Sequence, residues 1–338
     1  MEVCPNCFSD KELKGFISSV TTKGNCNICD SKDVPLLDLE ELLDFFQELI
    51  INFIRSPHGE TLKNKLQASW SFFVNHDVSN KVLNEIQPQL TTDITNSDDL
   101  VEYNADIINN NRHWGILKEE LKWSHRYIPD ISRLEDLGWD AYFNTQFELR
   151  STDRLYRARL HHTSGMPSYP NSEMMCPPAQ IATGGRANPP GIPYLYLSDN
   201  SDTVLYEVRA AYLDELSLGI FKLKDAVGTT KIVDFTENTS LFQPSKVNET
   251  IKSRLLREVI STDLSKPMRR YDSELEYVPT QFICEYIKVF TGASGIRFKS
   301  SVHPRGNNLV IFDQNLMECI EVKLKKINRL NLYSIDLL

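Results

Sequence analysis

The first extended pattern in the chain sets apolar residues at intervals of three and four: Leu39, Leu42, Leu43, Phe46, Leu49, Ile50 and Phe53. That spacing lines one face of an α-helix and predicts an amphipathic helix within Leu36 to Ile54. Asp38, Glu40, Glu41, Asp44 and Glu48 fall in the same stretch. Five carboxylates are too costly for a bilayer, so the segment reads as a surface helix and no membrane association is expected. Helical spacing resumes over Glu60 to Phe73, Lys81 to Ile86, Leu100 to Ile108 and His113 to Tyr127, and the polar run Thr91 to Asp99 reads as a loop. Trp114, Trp123 and Trp139 are expected in a core or a domain interface.

After Leu149 the texture changes to short β-prone runs separated by Gly/Pro turns. Strands are predicted at Arg154 to Arg159, Tyr194 to Ser198, Leu216 to Lys224, Ile232 to Phe235, Gly295 to Phe298, Asn308 to Phe312 and Cys319 to Leu324. Helices are predicted between them at Asp202 to Tyr212, Ser245 to Ser261 and Val278 to Phe290. The fold class is therefore α+β, with a mixed C-terminal domain over 149–338 and a helical domain over 35–148.

Charge sharpens that division. The net charge is -9, with 25 acidic against 13 basic residues up to Glu148 and 21 against 24 after it. An acidic first half fits poorly with phosphate-driven nucleic-acid binding. A hydrophobic share of 41% and a charged share of 25% over 338 residues exclude a disordered chain, a collagen and a coiled-coil rod. The N-terminus lacks a basic start followed by an apolar core, so a cytoplasmic protein is expected.

The seven cysteines fit that compartment, an odd number pointing to reduced thiols. Four of them form two C-x-x-C knuckles, Cys4/Cys7 and Cys26/Cys29. Two knuckles complete a tetrahedral four-thiolate site, so a structural Zn2+ module is expected over residues 1–34; a redox dithiol is the competing reading. Such a module is too small to hold together without metal. Cys176, Cys284 and Cys319 are scattered and read as structural thiols.

The densest segment runs from Gly184 to Ser198. It holds Arg186 in a Gly/Pro-rich turn directly before a strand with Tyr194 and Tyr196, and Glu207 follows on the next helix. Gly and Pro fix the backbone of such a turn, so Arg186 is presented at a defined place. Taken alone, this is also what a hairpin-like connection with a surface arginine looks like.

With Leu155-Tyr-Arg-Ala-Arg159 upstream, Thr203-Val-Leu-Tyr-Glu-Val208, Gly295-Ile-Arg-Phe-Lys-Ser-Ser301 and Gly306-Asn-Asn-Leu-Val-Ile-Phe312 downstream, the segment closely resembles the RES domain family. The zinc knuckle and helical leader more weakly resemble the N-terminal region of some RES proteins, related to HEPN helical domains. The resemblance implies an ADP-ribosyltransferase-like fold and a toxin that cleaves NAD+ at the nicotinamide–ribose bond, with phosphate or water as acceptor. It implies a place in toxin–antitoxin pairs or antiphage defence. By position it assigns catalysis to Arg157, Glu207 and Ser300. Arg186, Tyr196, Ser301 and Asn308 become substrate contacts. With Ala158 after the first arginine, where some relatives carry an aromatic, it leaves base stacking to Tyr156 or Tyr194.

The residue types suit that chemistry. Arginines bind pyrophosphate oxygens in forked, charge-assisted contacts, and a tyrosine face stacks on a base. Breaking a glycosidic bond builds positive charge on the ribose, which a carboxylate such as Glu207 stabilises. Three alternatives stand beside this reading: a protein ADP-ribosyltransferase, a HEPN-type ribonuclease and a non-enzymatic binding module. No R-x-x-x-x-H motif occurs in the helical half. A free NAD+-consuming enzyme would injure its own cell, so control is expected: the N-terminal half would hold the site closed, mediate oligomerisation or sense an invader, and an antitoxin or other regulatory protein and a homo-oligomer are the expected partners.

Overall fold

In the computed structural model, which describes residues 1–144, 146–237, 239–267, 273–303 and 305–329, the chain divides into two units. One comprises Met1–Trp114 with Asn238–Leu256, the other Gly115–Glu237 with Arg257–Leu338. The architecture is α+β. Among the described residues no helix is long and apolar enough to cross a membrane.

The first unit contains α1 (Lys11–Ser18), α2 (Leu43–Ile50), β1 (Phe53–Thr61), α3 (Leu62–Trp70), α4 (His76–Ile86), β2 (Leu100–Tyr103) and the start of α5 (Ala105–Trp123). Its core is rich in phenylalanine: Phe8, Phe46, Phe72 and Phe73 are buried, and the Phe72 and Phe73 rings meet edge to face at 4.9 Å. Cys4, Cys7, Cys26 and Ile28 belong to the same apolar cluster as these rings. Asp10 is buried here with its charge fully engaged. It caps α1 through the Leu13 amide at 3.1 Å and accepts from the Leu241 and Phe242 amides at 2.7 and 3.2 Å and from the Ser240 hydroxyl.

Several sequence expectations need correction in this unit. The helix predicted within Leu36 to Ile54 covers only Leu43–Ile50: the Asn52 side chain folds back, its Nδ2 donating to the Glu48 carbonyl at 2.7 Å, and the chain continues as β1. Leu100 to Tyr103 is a strand paired with β1, where a helix was predicted; Phe53 faces Tyr103 with rings 5.1 Å apart. Pro57 and Gly59 sit where the β1–β2 register slips, between Arg55 and Glu60. A proline that cannot donate is tolerated at such a bulge. The next helix begins only at Ala105, with Asn104 Oδ1 accepting from the Ile107 amide at 3.1 Å.

The second unit holds α6 (Ile131–Asp136), α7 (Trp139–Tyr142), β3 (Gln146–Arg150), β4 (Leu155–Leu160), β5 (Leu195–Ser198), α8 (Thr203–Glu207), β6 (Glu215–Leu223), β7 (Thr229–Asp234), the end of α9 (Val247–Ser265), α10 (Val278–Phe290), β8 (Gly295–Lys299), β9 (Asn307–Ile311) and β10 (Met317–Lys326). The eight strands form one sheet in the order β10-β6-β4-β5-β9-β8-β7-β3. All neighbours are antiparallel except β7 and β8. Leu195, Leu197, Leu309 and Ile311 alternate inward from adjacent β5 and β9 into one apolar cluster, the period-two burial of a packed sheet face.

Here Val278 to Phe290 is a helix as predicted, opened by Pro279 in its first turn. The helix predicted over Asp202 to Tyr212 ends at Glu207. Arg209 takes a left-handed φ of 53°, and the Ala210 and Arg209 amides bond the Leu205 and Tyr206 carbonyls, a Schellman stop. Trp114 and Trp139 are buried, but Trp123 is 67% exposed, against the expectation for all three. β3 is a sheet-edge strand absent from the sequence prediction.

Candidate active site

Arg157 on β4, Tyr196 on β5, Glu207 at the end of α8, Asn308 on β9 and Arg186 in the preceding turn line one cleft of about 360 Å³. The sheet supplies the floor: β4, β5 and β9 are consecutive strands, so three distant sequence segments converge. A cleft of this size that mixes apolar walls with a few convergent polar groups has the character of a small-molecule site.

Glu207 is the most tightly specified group. Its Oε1 accepts from the Ser300 hydroxyl at 2.8 Å and from Asn308 Nδ2 at 2.7 Å. Ser300 is buried and its Oγ also accepts from the Val302 amide at 3.3 Å, so the hydroxyl has a defined direction. The loop that carries Ser300 closes through the Ser300 amide on the Gly306 carbonyl at 3.0 Å. Gly306 has no room for a side chain, since a Cβ would lie 1.8 Å from Thr203 Oγ1. Only Oε1 of Glu207 is occupied by these bonds.

The turn bearing Arg186 is held as rigidly. The Tyr196 hydroxyl donates to Asn188 Oδ1 at 2.7 Å and accepts from the Ala187 amide at 3.0 Å. A Cβ on Gly185 would come 2.7 Å from that hydroxyl, so the close approach requires glycine. From α10, Thr280 Oγ1 donates to the Arg186 carbonyl at 2.6 Å and Gln281 Nε2 to the Gly185 carbonyl at 2.8 Å. Burial pushes the Tyr196 hydroxyl pKa well up, so it stays protonated as a donor.

Among the described residues neither arginine forms an ion pair. Burial lowers the pKa of Arg157, and its Nη1 donates to the Met175 carbonyl at 3.2 Å. Burial likewise lowers Arg186, with Tyr277 and Glu207 partly offsetting it; Arg186 Nη1 donates to the Leu264 carbonyl at 2.9 Å. Guanidinium remains charged in proteins, so the physical content is two poorly hydrated cations facing a cleft, an arrangement that attracts an anion.

The remaining sequence candidates lie elsewhere. Tyr156 lies on the same sheet face as Ala158 but packs sideways into the apolar cluster of Ala158, Val204, Leu216 and Leu218. Tyr194 is buried against the Phe312 ring at 4.9 Å with Lys288 over its face at 5.2 Å, and burial pushes its hydroxyl up to about 12. Ser301 is exposed and its hydroxyl donates to the Ser265 carbonyl. None of these three lines the cleft. The residues that sequence reasoning missed are Tyr277 and Phe298, the aromatic walls. Phe298 carries a weak signal, because it lies within a quoted motif; Tyr277 follows an acidic run and carries none.

In the first unit, the four sulfurs of Cys4, Cys7, Cys26 and Cys29 lie within 4.8 Å of one another. Cys4 and Cys29 are 3.4 Å apart, Cys7 and Cys26 3.5 Å, Cys4 and Cys7 3.9 Å. A tetrahedron with Zn–S bonds of ~2.3 Å has edges of ~3.8 Å, so the donor set fits zinc. Burial pushes the Cys4 thiol up to about 12 and raises Cys7 as well. At Cys29 burial is outweighed by the Ser31 hydrogen bonds, and its thiol is lowered to about 7, so one member of the set ionises readily. Lys81 Nζ donates to the Ile28 carbonyl at 2.9 Å and ties the second knuckle to α4.

Comparison with known proteins bears on the second unit. A family model described as RES domain matches residues 154–332, a span that includes every cleft residue named above. A crystal structure of the M. tuberculosis MbcT–MbcA toxin–antitoxin complex aligns at 14% identity over 55% of this chain and 88% of that one, with a TM-score of 0.30. No curated protein sequence matches the chain.

Proposed function

The chain belongs to the RES domain family, and from that premise and the geometry of its cleft we propose that it is an enzyme that cleaves NAD+ at the nicotinamide–ribose bond. The observation that carries the reading is the Glu207 carboxylate, fixed by Ser300 and Asn308 at the wall of a cleft that is also lined by two half-buried arginines.

In this reading Arg157 and Arg186 bind the pyrophosphate, whose negative oxygens supply counter-charge to both. Tyr277 and Phe298 flank the ring systems. When the glycosidic bond breaks, its electron pair leaves with neutral nicotinamide and the ribose carbon becomes cationic. Glu207 stabilises that cation, and its Oε2 is available for a ribose hydroxyl. Ser300 and Asn308 hold the carboxylate so that it does not reorganise during the reaction. Phosphate as acceptor gives ADP-ribose-1″-phosphate, and water gives ADP-ribose. The same reading makes Zn2+ a structural element of the N-terminal module, gives 35–148 a HEPN-like regulatory character, and calls for a protein partner that restrains the activity.

The test is NAD+ consumption by the purified chain with and without phosphate, products resolved by mass spectrometry. Nicotinamide with either ADP-ribose species supports the reading. ADP-ribose attached to protein, with no free product, replaces it with protein ADP-ribosylation.

A further inference from the structure

A second, smaller cavity shares Arg186 and Tyr277 with the cleft. Its volume is about 70 Å³, room for a compact polar group and too little for a base. Four cations line it, Lys118 and Lys122 from α5, Lys266 just past α9 and Arg186, against two carboxylates, Asp263 and Glu276. Lys118 pairs with Asp263 at 2.8 Å and Lys122 with Glu276 at 2.8 Å, which neutralises two of the four. Lys266 has no ion-pair partner among the described residues, and Arg186 donates to a carbonyl beside the Tyr277 ring, 6.0 Å from its centroid, with Glu207 acting on it from the cleft rather than as an ion pair. Among the described residues that line it, the excess is two positive charges.

Backbone dipoles add to it. Pro279 and Thr280 bring the first turn of the 13-residue helix α10 to the wall, and a helix N-terminus favours an anion. The Leu264 carbonyl near the end of α9, which would oppose one, is already occupied by Arg186 Nη1. Lys118 and Lys122 precede the segment that the family model matches, so this hollow is built partly by the chain's own leader.

We propose that this cavity is a phosphoryl-binding subsite beside the cleft, with Lys266 and Arg186 as its anion ligands and Lys118 and Lys122 as its charged wall. The group bound is either free phosphate or a phosphate of the dinucleotide. Arg186, common to both cavities, joins the subsite to the reaction centre. The inference rests on the function proposed above, and its test separates the two.

The test uses the full chain and Lys266→Gln. Binding of inorganic phosphate alone is followed by 31P line broadening, and NAD+ kinetics are measured separately. Loss of one charge-assisted contact is expected to weaken binding about tenfold. A raised Kd for phosphate assigns the group to free phosphate; a raised KM for NAD+ with kcat kept assigns it to the dinucleotide. Lys266→Arg is expected to restore either value. Unchanged Kd and KM in a folded Lys266→Gln overturn the subsite. A native chain that binds phosphate through Lys266 yet turns over no NAD+ keeps the subsite and overturns the proposed function alone.

Discussion

Ser300 Oγ and Glu207 Oε1 meet at 2.8 Å across 93 residues of sequence. The contact joins the loop after β8 to the end of α8 and orients the one carboxylate among the described residues of the cleft wall. Removing that charge is therefore expected to cost catalysis far more than folding. Glu207→Gln keeps the shape, and a fall of roughly 10²–10³ in kcat is expected, the usual loss of one preorganised electrostatic stabiliser. Ser300→Ala should lose less, since Asn308 still holds the carboxylate. Steady-state NAD+ turnover with circular dichroism as the folding control checks both; full turnover in a folded Glu207→Gln chain would falsify the assignment.

Arg157→Lys should behave as a severe change. The lysine keeps the charge but not the planar fork, and its ammonium desolvates poorly at a half-buried position. KM for NAD+ is expected to rise about tenfold or more. Equal KM for the two forms speaks against forked phosphate binding.

Metal content gives a prediction independent of the cleft. One zinc per chain is expected by elemental analysis, and Cys7→Ser should abolish it. Because the four cysteines share an apolar cluster with the phenylalanine core, the loss should spread: a Tm drop of ~10 °C or more is expected. A metal-free native chain with unchanged Tm contradicts this.

Asp10→Ala removes a buried carboxylate that serves three amides and a hydroxyl. Leaving such donors unpaired should destabilise the chain by roughly 2–4 kcal/mol in chemical denaturation. A change within experimental error is the contrary result.

Acid should act through Asp99. Burial works against its carboxylate, but the Arg55 guanidinium at 2.7 Å and the Thr95 and Asn96 amides outweigh it and hold the pKa below its ordinary value. A depressed folded pKa adds stability that is fully present above the unfolded value, ~3.9, and vanishes as pH falls through the folded one. The stability difference between the native chain and Asp99→Asn should thus be constant near neutrality and shrink below pH ~4. Denaturation at the two pH values checks it; an equal difference at both contradicts it.

The sequence made most of the second unit legible because its strands are short apolar runs punctuated by turn residues, and because Arg186 sits in a Gly/Pro turn. It also exposed the four cysteines, whose spacing alone specifies one cluster. What escaped it was set by contacts between distant segments. Phe53 fits a helical face as well as a strand, and only its pairing with Tyr103 decides between them. The stop after Glu207 needs Arg209 in a left-handed conformation, which few would expect of an arginine. Tyr156 and Tyr194 satisfied the chemistry of stacking, yet packing against Leu216 and Leu218 and burial against Phe312 kept both out of the cleft. Tyr277 reaches the cleft because the turn before α10 packs beside Arg186, a relationship that no local pattern encodes.

The last turn of α9 accepts two bonds on neighbouring carbonyls: Leu264 from Arg186 and Ser265 from the Ser301 hydroxyl. The arginine turn and the serine loop are thus moored to the same two peptide units. Mechanically they form one linkage, so loosening either mooring shifts the reference point of the other. Energetic effects of changes in the two segments will not sum: Arg186 and Ser301 substitutions combined should show a coupling energy, although their side chains lie on separate loops.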